Sequence, residues 1–107
     1  MTEDLSGLVW FKSKVRPLLS DDFELKYVND IDGDLGDLSG VQFDSNRVGG
    51  YIYFWSSGYV GYQLVDYENE SELVEDTTEE VLNRPYDEIF KALITHLSKE
   101  ELIGHPR

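Results

Sequence analysis

The sequence predicts an α+β domain: an antiparallel sheet of about four strands with an N-terminal and a C-terminal helix packed on one face, in the order α-β-β-β-β-α. Three observations predict it. Apolar residues recur at helical spacing near both ends of the chain. The middle alternates with period two and is rich in aromatic and β-branched residues. Clusters of Gly, Asn, Asp and Ser divide that middle into short runs, as turns between antiparallel strands do. Helices at the ends and strands between them favour one sheet covered by its helices.

Residues 5–19 read as the first helix, with Leu5, Leu8, Val9, Lys12, Val15 and Leu19 recurring at helical spacing and Pro17 kinking or splitting it. Phe23 to Tyr27 alternates apolar and charged residues and reads as a half-buried strand. Asn29 to Gly40 is dense in Asp and Gly and reads as a loop. Val41 to Asp44 suggests a short strand, after which Asn46 and Gly49-Gly50 flank a turn.

The strongest strand signal is Tyr51 to Trp55, apolar on both faces and therefore expected at the centre of the sheet or covered on its second face. Ser56-Ser57-Gly58 is a hairpin turn and Tyr59 to Tyr67 the return strand. In the acidic stretch 68–80, Leu73 and Val74 suggest a short edge strand whose flanking carboxylates discourage edge-to-edge pairing. Pro85 suits the first helical position, with Asp87 and Glu88 in the first turn and Ile89, Phe90, Leu93, Ile94 and Leu97 as the apolar stripe.

A chain of 107 residues fits one domain spanning 1–107. Its 40% hydrophobic and 13% aromatic content is that of a folding chain. The absence of cysteine excludes disulfides, zinc–thiolate sites and thiol catalysis. No run approaches the roughly 20 apolar residues of a membrane helix. The acidic start Met1-Thr2-Glu3-Asp4 is the opposite of a signal peptide, so a cytoplasmic location is expected.

The net charge of −13 is concentrated. Residues 21–80 carry sixteen Asp and Glu against Lys26 and Arg47, while the two ends are near neutral. Such a field repels nucleic acid and anionic lipid and steers a basic protein in quickly. Neither a nucleic-acid nor a membrane partner is expected, and solubility alone is the plainer alternative.

Asp30, Asp32, Asp34 and Asp37 resemble the start of a calcium loop, which needs oxygen ligands at alternate positions. The match ends at Leu35, where glycine is required, and at Val41, where a bidentate Glu is required. The loop is read instead as carboxylates offered to a partner's Lys and Arg, or as a solvated turn, and no metal or cofactor is expected. His96 and His105 lack partners at ligand spacing. No nucleophile elbow or phosphate-cradling Gly-Lys loop occurs, so an enzyme is not expected.

Tyr51, Tyr53 and Trp55 alternate on one face of their strand, and Tyr59, Tyr62 and Tyr67 follow in the next. Either these are interface anchors, as Tyr and Trp commonly are, or both sheet faces are simply packed. Asp66, Glu68, Glu70, Glu72, Glu75 and Asp76 form the second candidate segment for charge contacts with a partner.

Gly49-Gly50-Tyr51-Ile52-Tyr53-Phe54-Trp55, the strand ending Leu64-Val65-Asp66-Tyr67, and Tyr86-Asp87-Glu88-Ile89-Phe90 together give the chain a resemblance to bacterial toxin-immunity proteins, most like those of contact-dependent growth inhibition systems. That resemblance implies one-to-one binding of a toxin domain delivered by a neighbouring cell, often a nuclease with a basic cleft, and a block of its active site or partner surface. The alternatives from the residues alone are a small acidic adaptor that neutralises nothing, and a calcium-responsive module.

Overall fold

The computed structural model describes residues 6–33 and 36–104, with the side chains of Ser6, Asp32 and 99–104 excepted. Five strands form one antiparallel sheet in the order of the chain: β1 (Glu24–Gly33), β2 (Gly36–Asp44), β3 (Val48–Trp55), β4 (Tyr59–Asp66) and β5 (Ser71–Glu80). The α+β class and the antiparallel sheet are as expected, with one strand more than the sequence suggested.

The fifth strand is β5, and a second stretch lengthens β1 and β2. Asn29 to Gly40 is not a loop: β1 and β2 pair from Glu24 opposite Asp44 to Asp30 opposite Leu38, and resume at Gly33 opposite Gly36. Asp and Gly are poor strand formers, but β2 lies between β1 and β3, and two ladders of backbone hydrogen bonds outweigh that preference. Residues 71–80 form a full edge strand rather than the two-residue piece suggested by Leu73 and Val74, with its register shifted where Tyr62 pairs Thr77 and Leu64 pairs Val74. A second shift follows between Leu64 and Val65, so β5 carries two extra residues, irregularities of the kind that protect an edge from pairing with another chain.

β3 is the central strand, as its two-sided apolar sequence requires. Gly49 and Gly50 lie inside β3 and not at a turn; the turn before it is closed by Ser45, whose amide donates to the Val48 carbonyl at 2.8 Å. The β3–β4 hairpin closes through Gly58, whose amide donates to the Trp55 carbonyl at 3.0 Å with φ +96°, a conformation that favours glycine.

The N-terminal helix is three short pieces. α1 (Ser6–Trp10) widens into a π-helical turn over Phe11–Val15 and tightens into a 3₁₀ turn over Arg16–Leu18. Two residues cause this. The Ser13 hydroxyl donates to the carbonyls of Val9 and Trp10, competing with the helix ladder. Pro17 has no N–H to return to the preceding turn. At the other end Pro85 is extended (ψ 149°) and caps α2 (Tyr86–Ile89) one position earlier than expected. Phe90 breaks the helix before α3 (Lys91–Gly104).

The core joins these pieces to one set of sheet positions. Phe43, Ile52, Phe54, Val60, Tyr62, Leu64 and Val74 are buried along β2–β5. Phe11 lies 6.2 Å from Phe43 between ring centres, and Phe90 lies 5.1 Å from Tyr62, 5.9 Å from Phe54 and 4.9 Å from Trp10. A side chain at Gly7 would meet the Phe54 ring at 2.5 Å, so α1 rests directly on β3.

Candidate functional site

The alternate positions of the strands carry a different chemistry. Across this second face, Leu38 pairs Trp55, Gly40 pairs Tyr53, Gln42 pairs Tyr51, and Tyr53 and Tyr51 pair Gly61 and Gln63 of β4. Tyr51, Tyr53 and Trp55 are half-buried. Tyr51 stacks on Tyr53 at 4.4 Å, and Trp55 meets the same ring edge-on at 5.9 Å.

Glycines let these rings lie flat. Trp55 covers Gly61, where an added Cβ would meet the indole at 3.0 Å. Tyr53 covers Gly40 with its ring 2.5 Å from such an atom. Tyr67 reaches across Gly49 to donate its hydroxyl proton to Asp44. Aromatic rings laid over sheet glycines restore apolar cover to exposed backbone.

Carboxylates surround the rings. Glu24, Asp30, Asp44, Glu72, Asp76 and Glu80 are exposed. Several are held by neutral donors: the Tyr51 hydroxyl donates to Asp76, Gln63 Nε2 donates to Glu72 Oε2 at 2.6 Å, and Tyr67 donates to Asp44. Burial, followed by the bond to Asp76, pushes the Tyr51 hydroxyl well above its ordinary pKa of 10. Tyr67 is pushed up to about 12, first by its bond to Asp44 and then by burial. Both remain protonated donors at neutral pH.

Not every candidate residue joins this face. Tyr62 is buried among the core rings at 8% exposure and donates to Glu79 Oε2 at 2.5 Å; burial and that bond push it up to about 12. Asp66 caps the β4–β5 turn, accepting from Asn69 Nδ2 at 2.8 Å and from the amides of Glu68 and Asn69. The Asn69 side chain, those amides and the nearby Arg47 charge hold its carboxyl below the usual range. Glu68 and Glu70 are exposed in that turn, and Glu75 is exposed on β5.

Tyr59 is half-buried opposite Glu80. Asp30 sits opposite Leu38 at the far end of β1, and the Asp37 amide donates to Ser56 Oγ of the β3–β4 turn, 2.9 Å away. Asp34 lies outside the described residues, as does the Asp32 side chain. Among the described residues no group of three or more His, Asp or Glu is arranged to hold a metal ion.

Sequence reasoning missed Gln42, Asp44 and Gln63 as members of this face, and it placed Tyr67 in the aromatic cluster without naming it as a partner contact. The signal was present: Gln42 and Asp44 flank buried Phe43, and Gln63 lies between buried Tyr62 and Leu64, the alternation of a strand with one polar side.

Between Tyr51 and Tyr67 the face holds a shallow hollow of about 190 Å³, floored by the backbone of Gly49 and Gly50 and flanked by Gln42 and Asp44 on β2 and Gln63 and Val65 on β4.

No curated protein and no solved structure matches the chain at a significant level. A family model does: the one described as immunity protein TriTu matches residues 8–96, which span the segment from α1 through all five strands into α3. With most of its length so matched, the chain belongs to the TriTu family of immunity proteins.

Proposed function

We propose that this immunity protein neutralises its cognate toxin by laying the Tyr51–Tyr53–Trp55 face of the sheet on a basic surface of the toxin, one copy to one, and so blocking the active site or a partner surface. The observation that carries this reading is the row of half-buried aromatic rings framed by exposed carboxylates. Both helical ends are read as covering the opposite face, a reading supported by the contacts of Phe11, Tyr86 and Phe90 with Phe43, Phe54 and Tyr62. That leaves the aromatic face to a partner.

The charge of −13 suits a toxin with a basic cleft, such as a nuclease. Carboxylates speed encounter, and the desolvated rings slow dissociation. Inhibition by binding requires no catalysis by this chain. Delivery by cell contact, with the complex forming in the cytoplasm of the protected cell, fits the resemblance of its sequence.

The test is inhibition of the toxin encoded beside this gene. Reversing Asp30 and Asp37 together with Glu72, Glu75 and Asp76 to lysine is expected to slow association and abolish protection. Unchanged protection would remove the electrostatic part of the proposal, and the absence of a neighbouring toxin gene would favour an acidic adaptor.

A further inference from the structure

The hollow between Tyr51 and Tyr67 has a one-sided hydrogen-bonding chemistry. The Tyr67 hydroxyl proton is committed to Asp44 and the Tyr51 proton to Asp76. Gln42 donates from Nε2 to the Tyr53 hydroxyl at 2.7 Å, and Gln63 donates from Nε2 to Glu72 at 2.6 Å. Each of these four side chains directs a donor to another residue of the face, and the acceptor positions that remain outnumber the one further N–H on each glutamine. Asp44, with one oxygen taken by Tyr67, keeps further acceptor positions, since a carboxylate has about four. The walls thus combine two tyrosine rings, two amide oxygens and a carboxylate.

A ligand that complements such walls is rich in donors, positively charged and flat enough to lie along an aromatic ring. Among side chains that describes arginine: five N–H donors in a rigid plane, always charged, able to stack on aromatic faces. Lysine offers a compact point charge with a strong hydration shell and no plane.

We propose that the hollow formed by Gln42, Asp44, Gly49, Tyr51, Gln63 and Tyr67 is a binding slot for an arginine side chain of the partner protein. The volume of about 190 Å³ is far above the roughly 10–15 Å³ needed for one water, so a planar head group and its bound waters have room. The Arg47 charge acts on Asp66 in the neighbouring turn. The slot rests on the proposed use of this sheet face and gives it a register point, because one arginine seated beside Asp44 fixes how a basic surface lies on the rings.

The experiment uses the full chain, labelled with ¹⁵N, and three capped tripeptides, Gly-Arg-Gly, Gly-Lys-Gly and Gly-citrulline-Gly. The arginine peptide is expected to shift the Gly49 and Gly50 amides and the Gln63 side-chain amide in a saturable way, with the citrulline peptide, of the same shape but neutral, causing no saturable change. Asp44→Asn should weaken the arginine response by about two- to fivefold, the range of an exposed ion pair. A lysine response equal to that of arginine, or arginine shifts that avoid Gly49 and Gly50, would overturn the slot. Loss of toxin inhibition on charge reversal, with no arginine response here, would leave the interface standing and remove the slot alone. An arginine response without toxin binding would do the reverse.

Discussion

The indole Nε1 of Trp10 donates a 2.7 Å hydrogen bond to the Asp87 carboxylate, joining residues 77 positions apart. The bond ties α1 to the first turn of α2 and so joins the two helical ends of the chain. Trp10 is 9% exposed and stacks on Phe90, which leaves its N–H little access to water. Asp87 also sits where a helix N-terminus favours negative charge.

Asp87→Ala should therefore cost about 1–2 kcal/mol, the value of a hydrogen bond to a charged acceptor in a partly buried place. Asp87→Asn keeps an acceptor oxygen and should cost less. Urea denaturation of the two variants measures the difference, and equal stability of Asp87→Ala and the parent would show that the bond contributes nothing.

Phe90 is the residue on which the aromatic core converges: it is fully buried and meets Trp10, Phe54, Tyr62 and Tyr86. Phe90→Ala should cost about 3–5 kcal/mol through lost burial and the cavity left behind. Against a total of about 5–15 kcal/mol for a domain of this kind, that brings the variant close to unfolding. Thermal unfolding followed by circular dichroism would record it.

Phe90 also marks what was legible in the sequence. Its burial, and the central position of Tyr51–Trp55, follow from periodicity because burial selects the residue types directly, although Phe90 itself sits at the break between α2 and α3. The pairing over 29–40 and the full length of the edge strand over 71–80 were not legible, because residues such as Asp30, Glu72 and Glu79 stand in strands through pairing with neighbours and not through intrinsic preference. The aromatic face was visible as a pattern. Its glycine seats at Gly40, Gly49 and Gly61 were not, since a glycine next to a turn and a glycine under a ring look alike until the register is known.

Three tyrosines should titrate late. Tyr62 and Tyr67 are raised to about 12, and Tyr51 is raised as well. A raised folded-state pKa gives stability that is fully present below the unfolded value of 10 and lost as pH climbs toward 12. Absorbance at 295 nm is expected to show a late group beyond pH 11, with alkaline unfolding across the same window. Tyr67→Phe should reduce the late amplitude by one tyrosine; an unchanged late group would show that Asp44 does not hold the Tyr67 proton.

On the acid side the sign reverses. Glu79 accepts from Tyr62 and pairs with Arg84 at 3.1 Å, and these contacts lower its pKa below the ordinary 4.5. A lowered folded-state pKa gives stability present above 4.5 and lost as pH falls through the folded value. Glu79→Gln should be less stable than the parent at pH 7, with the gap closing as pH drops below 4.5. Urea midpoints at pH 7, 5, 4 and 3 test this, and a gap that stays constant with pH would assign the loss to packing instead of charge.

Gly49 couples fold to interface. A Cβ there would fall on the Tyr67 hydroxyl and the Asp44 carboxylate, so Gly49→Ala must push the Tyr67 ring off the face. Overfilling of this kind costs about 1–3 kcal/mol. Because the ring moves as a unit, two further effects should appear together: Tyr67 should lose its bond to Asp44 and titrate nearer 10, and the hollow beside it should change shape. The variant should therefore fold with a modest loss in urea midpoint, lose one tyrosine from the late group at 295 nm, and bind toxin more weakly than its stability alone explains. Tyr67→Phe separates the causes, since it removes the hydroxyl and keeps the ring. If Gly49→Ala weakens toxin binding and Tyr67→Phe does not, the shape of the face matters more than the orientation of Asp44; if both weaken it equally, the carboxylate held by Tyr67 is the group the partner meets.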